Sequence, residues 1–387
     1  MTRTESFPVV SIRSCPTYGA DDVSAALVSA LSDIGYDVSS AKGRKVCIKP
    51  NLLMKSDPDK DITTHPSFVR AAAKLFSDAG AHVTVAESGG GSYTPESMRN
   101  SYKVCGLTQA LEDIPAVLNE DPETLTLPFD GVSSKLFEIL KPLAEADIIV
   151  DLCKLKTHGL TGMTCAVKNM FGAVPGVKKF ETHARYGHDA VAFMNYVIDI
   201  CSLLTSTREF IAVCDAVDCM EGNGPSGGTK KHVGALLASS SPYALDLAAA
   251  DLAGLTDCAL TLPLTAKRGL SPASLDMLSL AGDGIDTFRT QFKRADSAVG
   301  FALTNIPGFM KPRPRVDPSI CHGCGECAAN CPEKTIRMVI KKGKRTARIN
   351  LKNCIRCYCC QELCRFKAVE VRRLPIAELA NKIGFMR

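Results

Sequence analysis

Short apolar runs alternate with amphipathic stretches through the first three-quarters of the chain. Val46-Cys47-Ile48 is apolar without a break and stops at Lys49-Pro50-Asn51. Such a run reads as a buried strand. Thr63-Thr64-His65-Pro66 follows, a threonine cap with proline in the first turn, and predicts a helix to about Gly80. His82 to Ala86 is a second β-rich run, ending at Glu87-Ser88-Gly89-Gly90-Gly91. Further strands are predicted at Ile148-Ile149-Val150, Phe210 to Cys214 and Val233 to Ala238, and Asp189 to Leu204 is apolar at helical spacing. Strands alternating with helices predict an α/β domain over residues 1–310, a mostly parallel sheet with flanking helices.

The pattern breaks near residue 310. Lys311-Pro312-Arg313-Pro314-Arg315 alternates proline with base and predicts an extended linker over 311–316. Residues 317–387 then predict a small α+β domain. Charge divides at the same place. Residues 311–387 carry 18 Lys and Arg against 6 Asp and Glu, and residues 1–310 carry 28 against 35. The two pieces have opposite sign, +12 and −7, which predicts mutual attraction.

Cysteine usage explains the tail. Of 18 cysteines, nine fall between Cys321 and Cys364. Cys321, Cys324, Cys327 and Cys331 follow C-x2-C-x2-C-x3-C, with Pro332 next. Cys354, Cys357, Cys360 and Cys364 repeat the spacing. This is the pattern of a bacterial-type ferredoxin with two [4Fe–4S] clusters, in which the fourth cysteine of each run serves the other cluster. The expected sets are Cys321, Cys324, Cys327 and Cys364 for one cluster, and Cys354, Cys357, Cys360 and Cys331 for the other. Cys359 breaks the spacing and reads as a packed thiol rather than a ligand. Arg365 stands where the motif prefers proline.

In the large domain no Walker sequence occurs. Gly222 to Gly227 matches G-x-G-x-x-G, but a strand follows where a helix should open, so a glycine-rich loop beside a ligand is the better reading. Lys154, Lys156 and His158 alternate after a buried strand, which sets them on one side of an extended chain. Lys168, Asn169 and Lys178 follow. A solvated basic edge strand is the plain reading, and an anion pocket the functional one.

Lys49-x-Asn51, Thr63-Thr64-His65-Pro66, Glu87-Ser88, Lys154-x-Lys156-Thr157-His158, Val167-Lys168-Asn169-x-Phe171-Gly172 and Glu221-Gly222-Asn223-Gly224-Pro225 occur in this order. Together they resemble the family called domain of unknown function 362, over roughly residues 45–255. The resemblance implies membership and is silent on chemistry. Position supplies the rest, because each motif follows a predicted strand, and open α/β sheets bind ligands at the carboxyl ends of strands. The expected cleft holds Lys49, Asn51, Thr64, Glu87, Ser88, Lys154, Lys156, Thr161, Lys168, Asn169, Asp215 and Asn223 around the substrate. His65, His158 and Glu221 are the candidates for proton transfer. A metal there would draw on His65, His158, His183, Cys153 or Cys165, whose spacing matches no standard site.

The expectation is an iron–sulfur oxidoreductase of anaerobic metabolism, a reductase acting on an anionic small molecule or a second cofactor. The alternatives are a non-enzymatic electron carrier or assembly subunit, and a redox sensor. The expected partner is an acidic ferredoxin or flavodoxin, met by the basic tip Lys341, Lys342, Lys344 and Arg345. No nucleic acid or membrane is expected, and a homodimer stays open. The N-terminal residues lack an apolar leader and no apolar run reaches membrane-spanning length, so the expected compartment is the cytoplasm.

Overall fold

The computed structural model describes residues 8–296, 312–341 and 343–372. Lys311 and Lys342 therefore lie outside the described residues. The large domain is built on one mixed sheet. Its strands are β1 (Val9–Ser14), β2 (Lys45–Pro50), β3 (His82–Val85), β4 (Ala116–Leu118), β7 (Ile148–His158), β8 (Gly162–Thr164), β9 (Glu209–Glu221), β10 (Thr229–Ser239) and β11 (Ser279–Gly282). β5 (Thr124–Pro128) and β6 (Leu136–Leu140) form a separate hairpin. The sheet order is β11-β1-β10-β9-β7-β2-β3-β4, and β8 folds back on β7. β9, β7, β2, β3 and β4 run parallel, and β10 is antiparallel to both β9 and β1. The expected α/β class with a mostly parallel sheet is the observed one.

Helices cover both faces, as parallel strands require. Ala20–Asp33 and Pro66–Asp78 pack on one face through Val23, Leu27, Phe68 and Phe76. Ala190–Thr207 and Pro242–Leu252 pack on the other through Phe193, Val197, Leu245 and Ala249. Ala190–Thr207 is long and apolar enough to cross a membrane. Here it lies on the sheet, with Asp199 buried and paired to Arg268 at 2.7 Å.

The helix expected after Thr63 starts at Pro66. Its cap is His65, whose Nδ1 accepts the Ser67 N–H at 3.2 Å. The two threonines turn inward instead, and the Thr64 hydroxyl donates to the Leu152 carbonyl at 2.6 Å.

The C-terminal domain contains β12 (Arg313–Val316), β13 (Ile336–Lys341), β14 (Lys344–Ile349) and β15 (Val369–Arg372). β12 pairs antiparallel with β15. The stretch expected as a linker is thus a strand of this domain. Pro314 is tolerated because a two-stranded ladder has only edges.

Candidate functional site

β7 is the central strand, and all eleven of its residues are buried. It nonetheless carries Asp151, Lys154, Lys156 and His158. Buried charges must be paired, so each partner reports what the residue does.

Lys154 is closed off. Its Nζ donates to Asp215 Oδ2 at 2.8 Å and to Tyr18 Oη at 2.7 Å. Asp215 also accepts the Tyr18 hydroxyl and the His65 backbone N–H, both at 3.0 Å. The His65 ring stacks on Tyr18 with centroids 3.7 Å apart. Lys154, Asp215 and His65 thus belong to a satisfied network and do not line the cavity described next.

Two residues on, Lys156 lines a cavity of about 70 Å³. The cavity is also lined by Asn51, Glu87, Lys168, Asn169, Phe171, Lys179, His183 and Pro225, and by Cys359 and Glu362 of the C-terminal domain. Lys156 Nζ donates to Asn51 Oδ1 at 2.6 Å and to the Ile62 carbonyl at 2.5 Å. Asn51 donates to Asn169 Oδ1 at 3.0 Å, and Asn169 donates to Asp151 Oδ1 at 2.6 Å. Lys49 lies beneath, fully buried and paired with Glu87. Gly172 permits this: a Cβ there would stand 2.2 Å from Glu87 and 2.5 Å from Lys49. Lys168 has no hydrogen bond or ion pair among the described residues.

Burial lowers the pKa of Lys156 far, and the neighbouring Lys168 and Lys154 add to it. It also lowers Lys168, against the pull of Glu362. Burial brings Lys179 down to about 8, although Glu87 opposes it. On the acidic side, burial raises Glu362, opposed by Lys168 and Lys156. Three lysine amines thus line one small space whose carboxylates, Glu87 and Glu362, are fewer than the amines.

His158 is buried behind Glu362, with only 1% of its surface exposed. Its Nδ1 accepts the Leu160 N–H at 3.0 Å, and its Nε2 lies 3.3 Å from Glu362 Oε1. Burial and the lysines hold it neutral, which leaves the proton on Nε2, facing Glu362.

The remaining expected residues fall elsewhere. Glu221 Oε2 accepts the Lys293 N–H at 2.9 Å, outside the cavity. Asn223 bonds Asp296 at 2.7 Å. Thr161 donates to the Met163 carbonyl at 2.9 Å, and the Ser88 carbonyl accepts from Lys179. The glycine-rich loop holds the C-terminal domain. Ser226 Oγ donates to the Glu362 carbonyl at 2.6 Å, Gln361 donates to the Asn223 carbonyl at 2.9 Å, and Lys367 donates to the Gly228 carbonyl at 3.3 Å.

The motif cysteines divide as their spacing predicts. Cys321, Cys324, Cys327 and Cys364 line one cavity, and Cys331, Cys354, Cys357 and Cys360 line another. Four thiols around each of two pockets fit two cubane clusters. Cys359 lines the second of these pockets and also the lysine cavity.

Comparison with known proteins agrees with this architecture. Residues 46–251 match the model of a domain of unknown function, DUF362, and residues 320–368 match a 4Fe-4S dicluster domain. A relative, the thylakoid-associated protein sll1697 of Synechocystis, is 32% identical over 271 residues, which is 69% of this chain and 82% of that protein. The chain belongs to the DUF362 family. It is a DUF362 protein with an iron–sulfur ferredoxin domain. Two solved structures align over part of it. Lactate racemase apoprotein from Thermoanaerobacterium thermosaccharolyticum has 18% identity and a TM-score of 0.40, covering 61% of this chain and 55% of that one. A Thermotoga maritima protein has 13% identity and a TM-score of 0.34, covering 52% and 51%. The chain spans about half the length of these solved structures.

Among the titratable cavity residues of this DUF362 protein, Lys179, Cys359 and Glu362 are not singled out by the sequence as site residues, and His183 enters only as a candidate metal ligand. Lys179 and His183 share one face of helix Gly176–Tyr186 at i, i+4 spacing, a signal that was available. The neighbouring Lys178, the expected base, instead pairs with Glu181 at 3.0 Å on the surface.

Proposed function

We propose that this protein is an iron–sulfur reductase in which two [4Fe–4S] clusters deliver electrons to an anionic small molecule held by Lys156, Lys168 and Lys179. The observation that carries this reading is Cys359, which lines both the second cluster pocket and the lysine cavity. An electron leaving that cluster meets the cavity with one side chain between them. The two clusters together hold two electrons, which suits a two-electron reduction. Lysine ammonium groups hold the anion and balance the charge that arrives. Glu362, raised by burial, lines the cavity to supply a proton, with His158 Nε2 3.3 Å from its Oε1.

A groove of about 480 Å³ adjoins the cavity through Glu87, Gly90 and Leu363. It runs between Gly89 to Tyr93 and Glu326, Asn330 and Arg365 of the C-terminal domain. This groove is the route in for the substrate. Electrons enter from an acidic carrier protein at the basic surface of the C-terminal domain, where Lys341 and Arg345 are exposed.

The test is analysis of anaerobically purified protein. About eight iron atoms per chain and an anionic small molecule released on denaturation support the reading. Four iron atoms per chain, or a cationic or neutral molecule bound in the cavity, contradict it.

A further inference from the structure

The cavity leaves unused the densest group of thiols in the large domain. Cys153 lies on β7, and Cys214 is its registered neighbour on β9. Cys165 immediately precedes helix Ala166–Asn169. Cys165 Sγ lies 3.5 Å from Cys153 Sγ and 3.6 Å from Cys214 Sγ, and all three sulfurs lie within 4.8 Å of one another. A disulfide needs about 2.05 Å, so these are three free thiols from three separate segments.

Isolated core cysteines behave as small apolar groups and need no polar company. These have it. The Asp246 carboxyl is buried at the residue that follows Cys165. Its Oδ1 accepts the Ala166 N–H at 2.7 Å, while its Oδ2 is buried without a hydrogen-bond partner. Asp151, two residues before Cys153, is fully buried, and its Oδ2 is also unpartnered. An orphan carboxylate oxygen close to three buried thiols is costly for a protein core. A thiophilic cation removes that cost.

We propose that Cys153, Cys165 and Cys214 hold a structural zinc ion inside the large domain, with the Asp246 carboxylate beside the Cys165–Ala166 turn moving in as the fourth, oxygen donor. Tetrahedral zinc with bonds of about 2.3 Å to sulfur sets the sulfurs about 3.8 Å apart, close to the spacing already present. The site is closed and dry, which suits a structural ion rather than a catalytic one. It ties β7, β9 and helix Pro242–Leu252 to the turn that carries Lys168 and Asn169. Zinc is thereby a support for the anion cavity, separate from the iron clusters.

The test is elemental analysis and zinc-edge X-ray absorption on the full-length protein, purified anaerobically from zinc-replete medium and washed with chelator. The expected result is about one zinc per chain beside the iron, with three sulfur scatterers and one oxygen. Cys165→Ser and Cys214→Ser should each lose the zinc and keep the iron. The wild-type measurement stands even if a variant fails to fold. Wild-type protein without stoichiometric zinc, zinc bound only by nitrogen and oxygen, or zinc kept by Cys214→Ser would overturn the proposal.

Discussion

Lys154 and Lys156 stand two residues apart on one buried strand, and they do opposite things. Lys154 finds its carboxylate, Asp215, within the same domain at 2.8 Å. Its network is complete before any ligand arrives. Lys156 and its neighbour Lys168 face an acid from the other domain, Glu362, and the balance around them stays short of negative charge. A buried lysine is therefore not a site by type or by strand position. On the function proposed above, it becomes one when the fold withholds its counter-charge. The junction also inverts the overall electrostatics. The acidic domain contributes the lysines, and the basic domain contributes the glutamate.

The sharpest way to break this contrast is on the closed side. Lys154→Ala leaves Asp215 buried and unpaired, a change that costs about 3–5 kcal/mol. Denaturant unfolding should show that loss. A variant as stable as wild type would mean the network is not structural.

Lys168→Ala tests the open side. It removes no hydrogen bond, so stability should change by less than about 0.5 kcal/mol. Anion affinity should nevertheless fall about 10- to 100-fold, the worth of one charged hydrogen bond. Calorimetric titration with the molecule released from the wild-type protein would measure it.

The pH dependence sharpens the same point. In the free protein Lys179 has a pKa of about 8, and a bound anion raises it. Below 8 Lys179 is already charged and adds no pH dependence of its own. Above 8 binding must take up a proton, so affinity should fall by up to about tenfold per pH unit. Lys179→Met should remove the step at 8.

The smallest effect concerns docking. Ser226→Ala deletes the hydroxyl that bonds the Glu362 carbonyl, worth about 1 kcal/mol. Iron content should be unchanged, and hydrogen exchange should quicken only in residues 359–364.

Legibility followed the distance over which the chemistry acts. The cluster pockets were readable because the spacing of Cys321 to Cys331 and Cys354 to Cys364 encodes their geometry locally. The sheet was readable because its central strands are apolar runs closed by turn residues. The cavity was readable only in part. Position after a strand singles out Asn51, Glu87, Lys156, Lys168 and Asn169, which line the cavity. It equally singled out Lys154, Asp215 and Glu221, because strand ends do not reveal which side chains are satisfied by partners far along the chain. Tyr18, which helps close the Lys154 network, lies 136 residues away. Glu362 escaped because its role depends on how two domains dock. The linker was misread for a related reason, since an alternating Pro-Arg run is extended both as a tether and as the edge strand β12.

The central claim is that cluster electrons reach an anion in the lysine cavity. Single-turnover mixing tests it most directly. Protein reduced anaerobically is mixed with the anionic molecule released from wild-type preparations, and reoxidation of the clusters is followed by visible absorbance. The account predicts rapid reoxidation in wild type and little in Lys168→Ala at equal iron content. Equal rates in the two proteins, or clusters that stay reduced in both, would contradict it.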